Sequence, residues 1–142
     1  MATNTDTSEA QARAQLQHIT EMVGALQHAL DAEDHSVDSA DAIYDAIDDA
    51  VHAIETSSLS VEVRSYWTLL MGPSYALAPE EYRIVLCTGG PAVQIVGDLD
   101  IDREPSTARL QHQDWSTPWT DYRLTAEEEA TLLVYARTFY FA

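Results

Sequence analysis

The chain has 142 residues, with 24 acids against seven basic residues and a formal net charge of −17. All seven basic residues are Arg, since the sequence contains no Lys. Such a charge repels nucleic acid and anionic membranes and favours cationic surfaces, while the single Cys87 excludes an intrachain disulfide and a Cys-rich metal site.

A hydrophobic content of 46% with three Trp and seven Tyr is that of a folded protein, and the length fits one domain with a real core. The longest apolar run is far below a membrane span, and the first residues lack the basic and apolar regions of a signal peptide. A cytoplasmic protein is therefore expected. Two readings fit the acidity: adaptation of the source to salt, or a surface built to bind a basic partner such as a DNA-binding groove.

Residues 1–8 are small and polar and are expected to form a disordered tail, leaving 9–142 as a single α+β domain. From Glu9 a helical period begins. Leu16, Ile19, Val23, Leu26 and Leu30 follow a 3-4-3-4 spacing that places them on one stripe. Ser36, Asp38 and Ser39 offer N-caps for a second helix, with Ala40, Ile43, Ile47, Val51 and Ile54 as its apolar stripe. The short link predicts an antiparallel helical hairpin over 9–58.

The second helix carries an acidic column. Asp41, Asp45, Asp48 and Glu55 recur three, four or seven apart, with Asp49 beside them and His52 in the gap. Neighbours then lie about 6 Å apart along roughly 20 Å of helix. Residues 1–58 hold twelve acids and one Arg, so little is placed to neutralise the column. Like charges at this spacing cost a helix a few tenths of a kcal/mol per pair. One reading is a solvated helix face. The other is an imitation of a phosphate backbone, whose charges have comparable spacing.

The rest of the chain, 59–142, reads as a four-stranded antiparallel sheet followed by a helix packed on it. Leu59 to Trp67 alternates with a period of two. Residues 68–81, broken by Gly72, Pro73 and Pro79, read as a long loop. Two apolar runs in Tyr82 to Asp100 flank Gly89-Gly90, the chemistry of a two-residue hairpin turn in which Leu86 faces Val93 and Ile84 faces Ile95. A fourth strand runs from about Ala108 to Trp115. Thr125-Ala-Glu-Glu128 is a capping box opening the last helix, whose buried side is Leu132, Leu133, Ala136, Phe139 and Tyr140.

Continued across the strands, the alternation puts Glu62, Arg64, Tyr66, Arg83, Cys87, Gln94, Arg109, Gln111 and Gln113 on one outer face. Three of the seven arginines gather there, making a candidate interface of Arg64, Arg83, Gln94, Arg109 and Gln111 for an oligomerising protein, with a homodimer as one outcome. Trp115 and Trp119, in an aromatic stretch broken by Pro118, are candidates for the same interface or for a small-ligand site. Buried anchors for an irregular loop are the commoner use of such residues.

No catalytic constellation stands out. Cys87, His112 and Asp114 supply the residue types of a thiol triad, but this register sends Cys87 and His112 to opposite faces. Gly89-Gly90 leads into a strand and not a helix, so it is no phosphate loop. Asp31 to Asp38 lacks the central Gly and terminal Glu of a calcium loop. No metal and no cofactor are expected.

Leu86-Cys-Thr-Gly-Gly-Pro-Ala-Val93, Gly97-Asp-Leu-Asp100, Gln113-Asp-Trp-Ser-Thr-Pro-Trp-Thr120 and Tyr135-Ala-Arg-Thr-Phe-Tyr-Phe141 occur in this order. Together with the upstream strand Leu59-Ser-Val-Glu-Val-Arg-Ser65, they resemble a family of small phage, prophage and plasmid proteins. The likeness covers roughly residues 59–142 and departs at Ser116, where the family pattern has Gly. It implies a mobile-element accessory protein of the host-cell cytoplasm, transfers no catalytic residue, and raises a counter-defence role against a CRISPR effector or restriction enzyme. The expected function is thus a non-catalytic acidic inhibitor. It would bind a basic nucleic-acid-binding host protein through Asp41, Asp45, Asp48, Asp49 and Glu55, without contacting nucleic acid or membrane directly.

Overall fold

The computed structural model describes residues 4–35, 40–67, 70–71 and 78–141. Helix α1 spans Asn4–His35 and α2 spans Ala40–Glu55. A five-stranded antiparallel sheet follows, with β1 Ser60–Arg64, β2 Glu81–Cys87, β3 Ala92–Asp98, β4 Arg109–Gln113 and β5 Thr120–Asp121 in the spatial order of the chain. Helix α3, Ala126–Arg137, ends the fold. The α+β class and the two helical regions match the sequence reading, with five strands in place of four. The added β5 is two residues long, too short to leave a period in the sequence.

Helix α1 starts earlier than expected. Residues 4–8, read as tail, are helical, and Ser8 is buried against His112 of β4. A contact between residues 104 positions apart holds this polar first stretch in place, and no local pattern announces it. The predicted stripe is otherwise realised: Leu16, Ile19, Val23 and Leu26 are buried together with Ala12, Met22 and Ala29, whereas Leu30 is exposed. Among the described side chains of α2 Ile54 alone is fully buried, and Ile47 and Val51 pack against the core from its margin. The predicted caps at Ser36, Asp38 and Ser39 and most of the 68–81 loop lie outside the described residues.

The core forms between α1 and the inner face of the sheet. Helix α1 lies on β3 and β4, while α2 and α3 pack along α1. The helix expected to cover the sheet was the C-terminal one. Instead α3 closes the flank of the core with Leu132, Tyr135 and Ala136, and Phe141 beyond it stacks on Tyr82 with ring centroids 5.2 Å apart. The predicted capping box is formed at its start. The Glu128 amide donates to Thr125 Oγ1 at 3.1 Å, and the Thr125 amide donates to Glu128 Oε1 at 2.9 Å. The Tyr135 hydroxyl and Ser57 Oγ, 2.7 Å apart, tie α3 to the end of α2.

The central hairpin keeps half of its expected register. Ile84 lies opposite Ile95, but Val93 pairs with Cys87, because a bulge falls between Val85 and Cys87. A two-residue turn at Gly89-Gly90 needs the residue at 91 to donate its amide to residue 88, and Pro91 has no N–H. The chain instead spans Thr88–Pro91 with only Gly89 at positive φ, and the bulge absorbs the offset. The bulge also turns Cys87 to the same side as Val93, against the core and away from the outer face where alternation had placed it.

Gly97 and Gly90 both lie in close contact, with different consequences. A Cβ at Gly97 would run into the backbone carbonyl of Thr107 and sit 2.7 Å from the Tyr82 ring, both fixed parts of the core edge. The nearest atoms to a Cβ at Gly90 would be those of the indole of the exposed Trp115. Gly97→Ala is expected to lower unfolding free energy by about 1–3 kcal/mol, the usual cost of overpacking. Gly90→Ala is expected to cost distinctly less in the same urea titrations, because the indole can swing outward.

Candidate functional site

Three groups of residues carry chemistry, and the fold keeps them apart. The first is the α2 column. Asp41, Asp45, Asp48, Asp49 and Glu55 are all exposed, as is His52 between them. None of the ion pairs among the described residues includes them, for those pairs join Arg64 to Glu81, Arg83 to Glu62 and Arg109 to Asp121. Their apolar neighbours Ile47, Val51 and Ile54 face the core from an adjoining stripe, so packing dictates which side of α2 the carboxylates occupy. The column is thus presented to solvent without a described cation beside it.

The second group is the outer sheet face, which no described helix covers. Register sets Glu62 opposite Arg83 and Arg64 opposite Glu81. Arg64 Nε donates to Glu81 Oε2 at 2.7 Å and Arg83 Nε donates to Glu62 Oε2 at 2.9 Å. These guanidinium groups hold the Glu62 and Glu81 carboxyls below the usual carboxylate range. Next to them Gln94 Nε2 donates to Gln111 Oε1 at 2.8 Å, and Gln111 Nε2 donates to Asp121 Oδ1 at 2.9 Å. Arg109 lies 3.9 Å from the other Asp121 oxygen. The predicted outer-face residues Arg64, Arg83, Gln94, Arg109 and Gln111 are therefore brought together as expected. Each has a partner in its own sheet, around an open concavity of about 470 Å³. A face satisfied in this way holds few free donors for an anionic ligand.

The third group surrounds Cys87, His112 and Asp114. The bulge puts Cys87 and His112 on one side of the sheet, so the argument from opposite faces does not hold. A different geometry separates them. Val93 pairs with Cys87 on one side and with His112 on the other. The thiol and the imidazole therefore stand two strands apart, roughly 10 Å between backbones. Burial pushes the Cys87 thiol up from its ordinary pKa, the reverse of nucleophile activation. His112 is buried, 2.8 Å from Ser8 Oγ and edge-on to Tyr122. Asp114 is buried with Oδ2 lacking a hydrogen-bond partner. Alternation places His112 inward, but its partner Ser8 comes from the far end of the chain and leaves no sequence signal. Among the described residues no three His, Cys, Asp or Glu groups are arranged to hold a metal ion, and no helix is long and apolar enough to cross a membrane.

The two tryptophans of the aromatic stretch do not act as buried anchors. Trp115 is 84% exposed and Trp119 37%. They flank a tight turn in which the Asp114 amide donates to Thr117 Oγ1 at 3.0 Å and Gln113 Nε2 donates to the Thr117 carbonyl at 3.0 Å. Neither indole lines the outer-face concavity. Ser116 keeps a negative φ, so this turn takes a side chain there without backbone strain.

Two measurements test this arrangement. Iodoacetamide should alkylate Cys87 more slowly than a free thiol at neutral pH, with the rate rising only above the ordinary cysteine range; fast alkylation near pH 6 would contradict a half-buried, protonated thiol. Ser8→Ala leaves His112 without its hydroxyl partner and should cost about 1–3 kcal/mol in chemical denaturation. No family model, curated protein or solved structure matches the chain.

Proposed function

We propose that this protein is a non-catalytic acidic binder that occupies a basic, nucleic-acid-binding surface on a host protein. The supporting observation is the exposed column Asp41, Asp45, Asp48, Asp49 and Glu55, which has no ion pair among the described residues, while Arg64, Arg83 and Arg109 are matched to acids on the sheet. A helix presents these carboxylates at fixed spacing, so a groove that reads a row of phosphates meets charges of similar pitch. The resemblance of residues 59–142 to phage, prophage and plasmid proteins supports a counter-defence setting, in which the target is a CRISPR effector or restriction enzyme of the host cell. The contact is with protein alone, since a chain of net charge −17 repels nucleic acid.

Charge-driven association of this kind should fall steeply with ionic strength, because exposed charges lose most of their attraction beyond a Debye length. The test is capture of proteins from host lysate on immobilised wild type and on an Asp41→Arg/Asp45→Arg/Asp48→Arg variant, followed by DNA-displacement assays on whatever is retained. The wild type should retain a basic nucleic-acid-binding protein at low salt, release it at high salt and displace its DNA. The triple reversal should retain at least about tenfold less. Equal retention by the two proteins would sink the proposal.

A further inference from the structure

Strand β1 is an outer strand of the sheet. An outer strand offers unpaired backbone N–H and C=O groups to any strand laid beside it, and proteins guard such edges with shortness, proline, bulges or a covering element. The opposite edge is guarded by its length, since β5 has two residues. β1 has five, contains no proline, and pairs with β2 from Ser60 to Arg64 without interruption.

Among the described residues, no element covers the inner side of β1 either. Val61 and Val63 lie opposite Ile84 and Tyr82, which are 0% and 2% exposed, yet they are themselves 37% and 49% exposed. Leu59 before the strand and Trp67 after it are exposed as well. A regular strand with two bare valines in a chain of this acidity is unusual enough to ask what covers it.

Its charges name the occupant. Read antiparallel about Val63, the segment Glu62-Val63-Arg64 is complementary to itself. Glu62 falls opposite Arg64 of a second copy, Arg64 opposite its Glu62, and the two Val63 side chains meet. Within one chain the adjoining rows are Arg83–Glu62 and Glu81–Arg64. Joined in this register they become Arg83–Glu62–Arg64–Glu81, alternating in sign across the junction, and two-fold symmetry produces the row twice. Centring the pair on Glu62 would set two glutamates directly opposite, which is destabilising.

We propose that the protein forms a two-fold dimer by antiparallel pairing of β1 with β1 of a second copy, with Val63 on the axis. The result is one continuous sheet of twice five strands. This interface runs along the β1 edge, shares Arg64 with the Arg/Gln sheet face, and does not depend on the acidic column.

Paired charge reversals test the proposal by sedimentation at concentrations up to about 100 μM, where a micromolar dimer is nearly complete. Glu62→Arg gives a strand with two cations and Arg64→Glu one with two anions, so each alone should raise the dimer dissociation constant roughly tenfold or more. Mixing the two variants should restore a dimer, because Arg then faces Glu at both junction positions. Both sites are exposed, and circular dichroism will verify that each variant is folded. The register is read independently in a Cys87→Ser background. Val63→Cys should oxidise to a covalent dimer, whereas Val61→Cys should not, since its symmetry mate would lie about 14 Å away. A wild type that stays monomeric throughout, reversals that leave dimerisation unchanged, a mixture that fails to reassemble, or cross-linking through residue 61 would each overturn the proposal.

Discussion

The fold depends on one packing constraint: the apolar stripe of α1 seated across β3 and β4. A helix with its side chains is about 10 Å wide, and two neighbouring strands span nearly the same distance. One helix can therefore bury about two strands of a sheet. Leu16, Ile19, Val23 and Leu26 meet Val93, Ile95 and Leu110 in one buried cluster, and α2 and α3 pack on α1 from outside. Phe141 extends the cover to Tyr82 on β2. Beyond that no described element covers the sheet, and Val61 and Val63 of β1 are exposed.

The same seat distributes the charge. The helical layer must turn its apolar stripe toward the sheet, which leaves the acids of α2 on the solvent side. The sheet must turn its apolar residues toward α1, which sends Arg64, Arg83, Arg109 and their partners to the far face. The core thus separates the unpaired carboxylates from the cations that would neutralise them.

Much of this was legible in sequence. The 3-4 spacing on α1 as far as Leu26, the alternation of the strands up to the bulge before Cys87, and the Thr125–Glu128 capping box are local patterns with a period or fixed offset, and each appears where read. The acidic column was legible for the same reason. What escaped depends on long-range contacts or on backbone detail. Ser8 is helical and buried because His112 lies 104 positions away. Cys87 faces inward because Pro91 lacks the amide that a two-residue turn requires, and a bulge then reverses the alternation. The bare inner side of β1 follows from the width of α1, a property of assembly that no window of sequence contains. Trp115 and Trp119 were misjudged on frequency alone, since large aromatics in broken loops are usually anchors and here are exposed.

Acids and arginines are both unevenly divided along the chain. Residues 1–58 and 59–142 hold twelve acids each, so the shorter first part carries them at the higher density. The arginines are uneven, one in the first part and six in the second. The net charges are therefore 12 − 1 = 11 negative and 12 − 6 = 6 negative, which together make the −17 of the chain. General adaptation to salt accounts for the number of acids and has no reason to withdraw cations from one layer. The proposed binding to a cationic surface would supply such a reason, because each arginine placed near the α2 column would cancel part of its negative field.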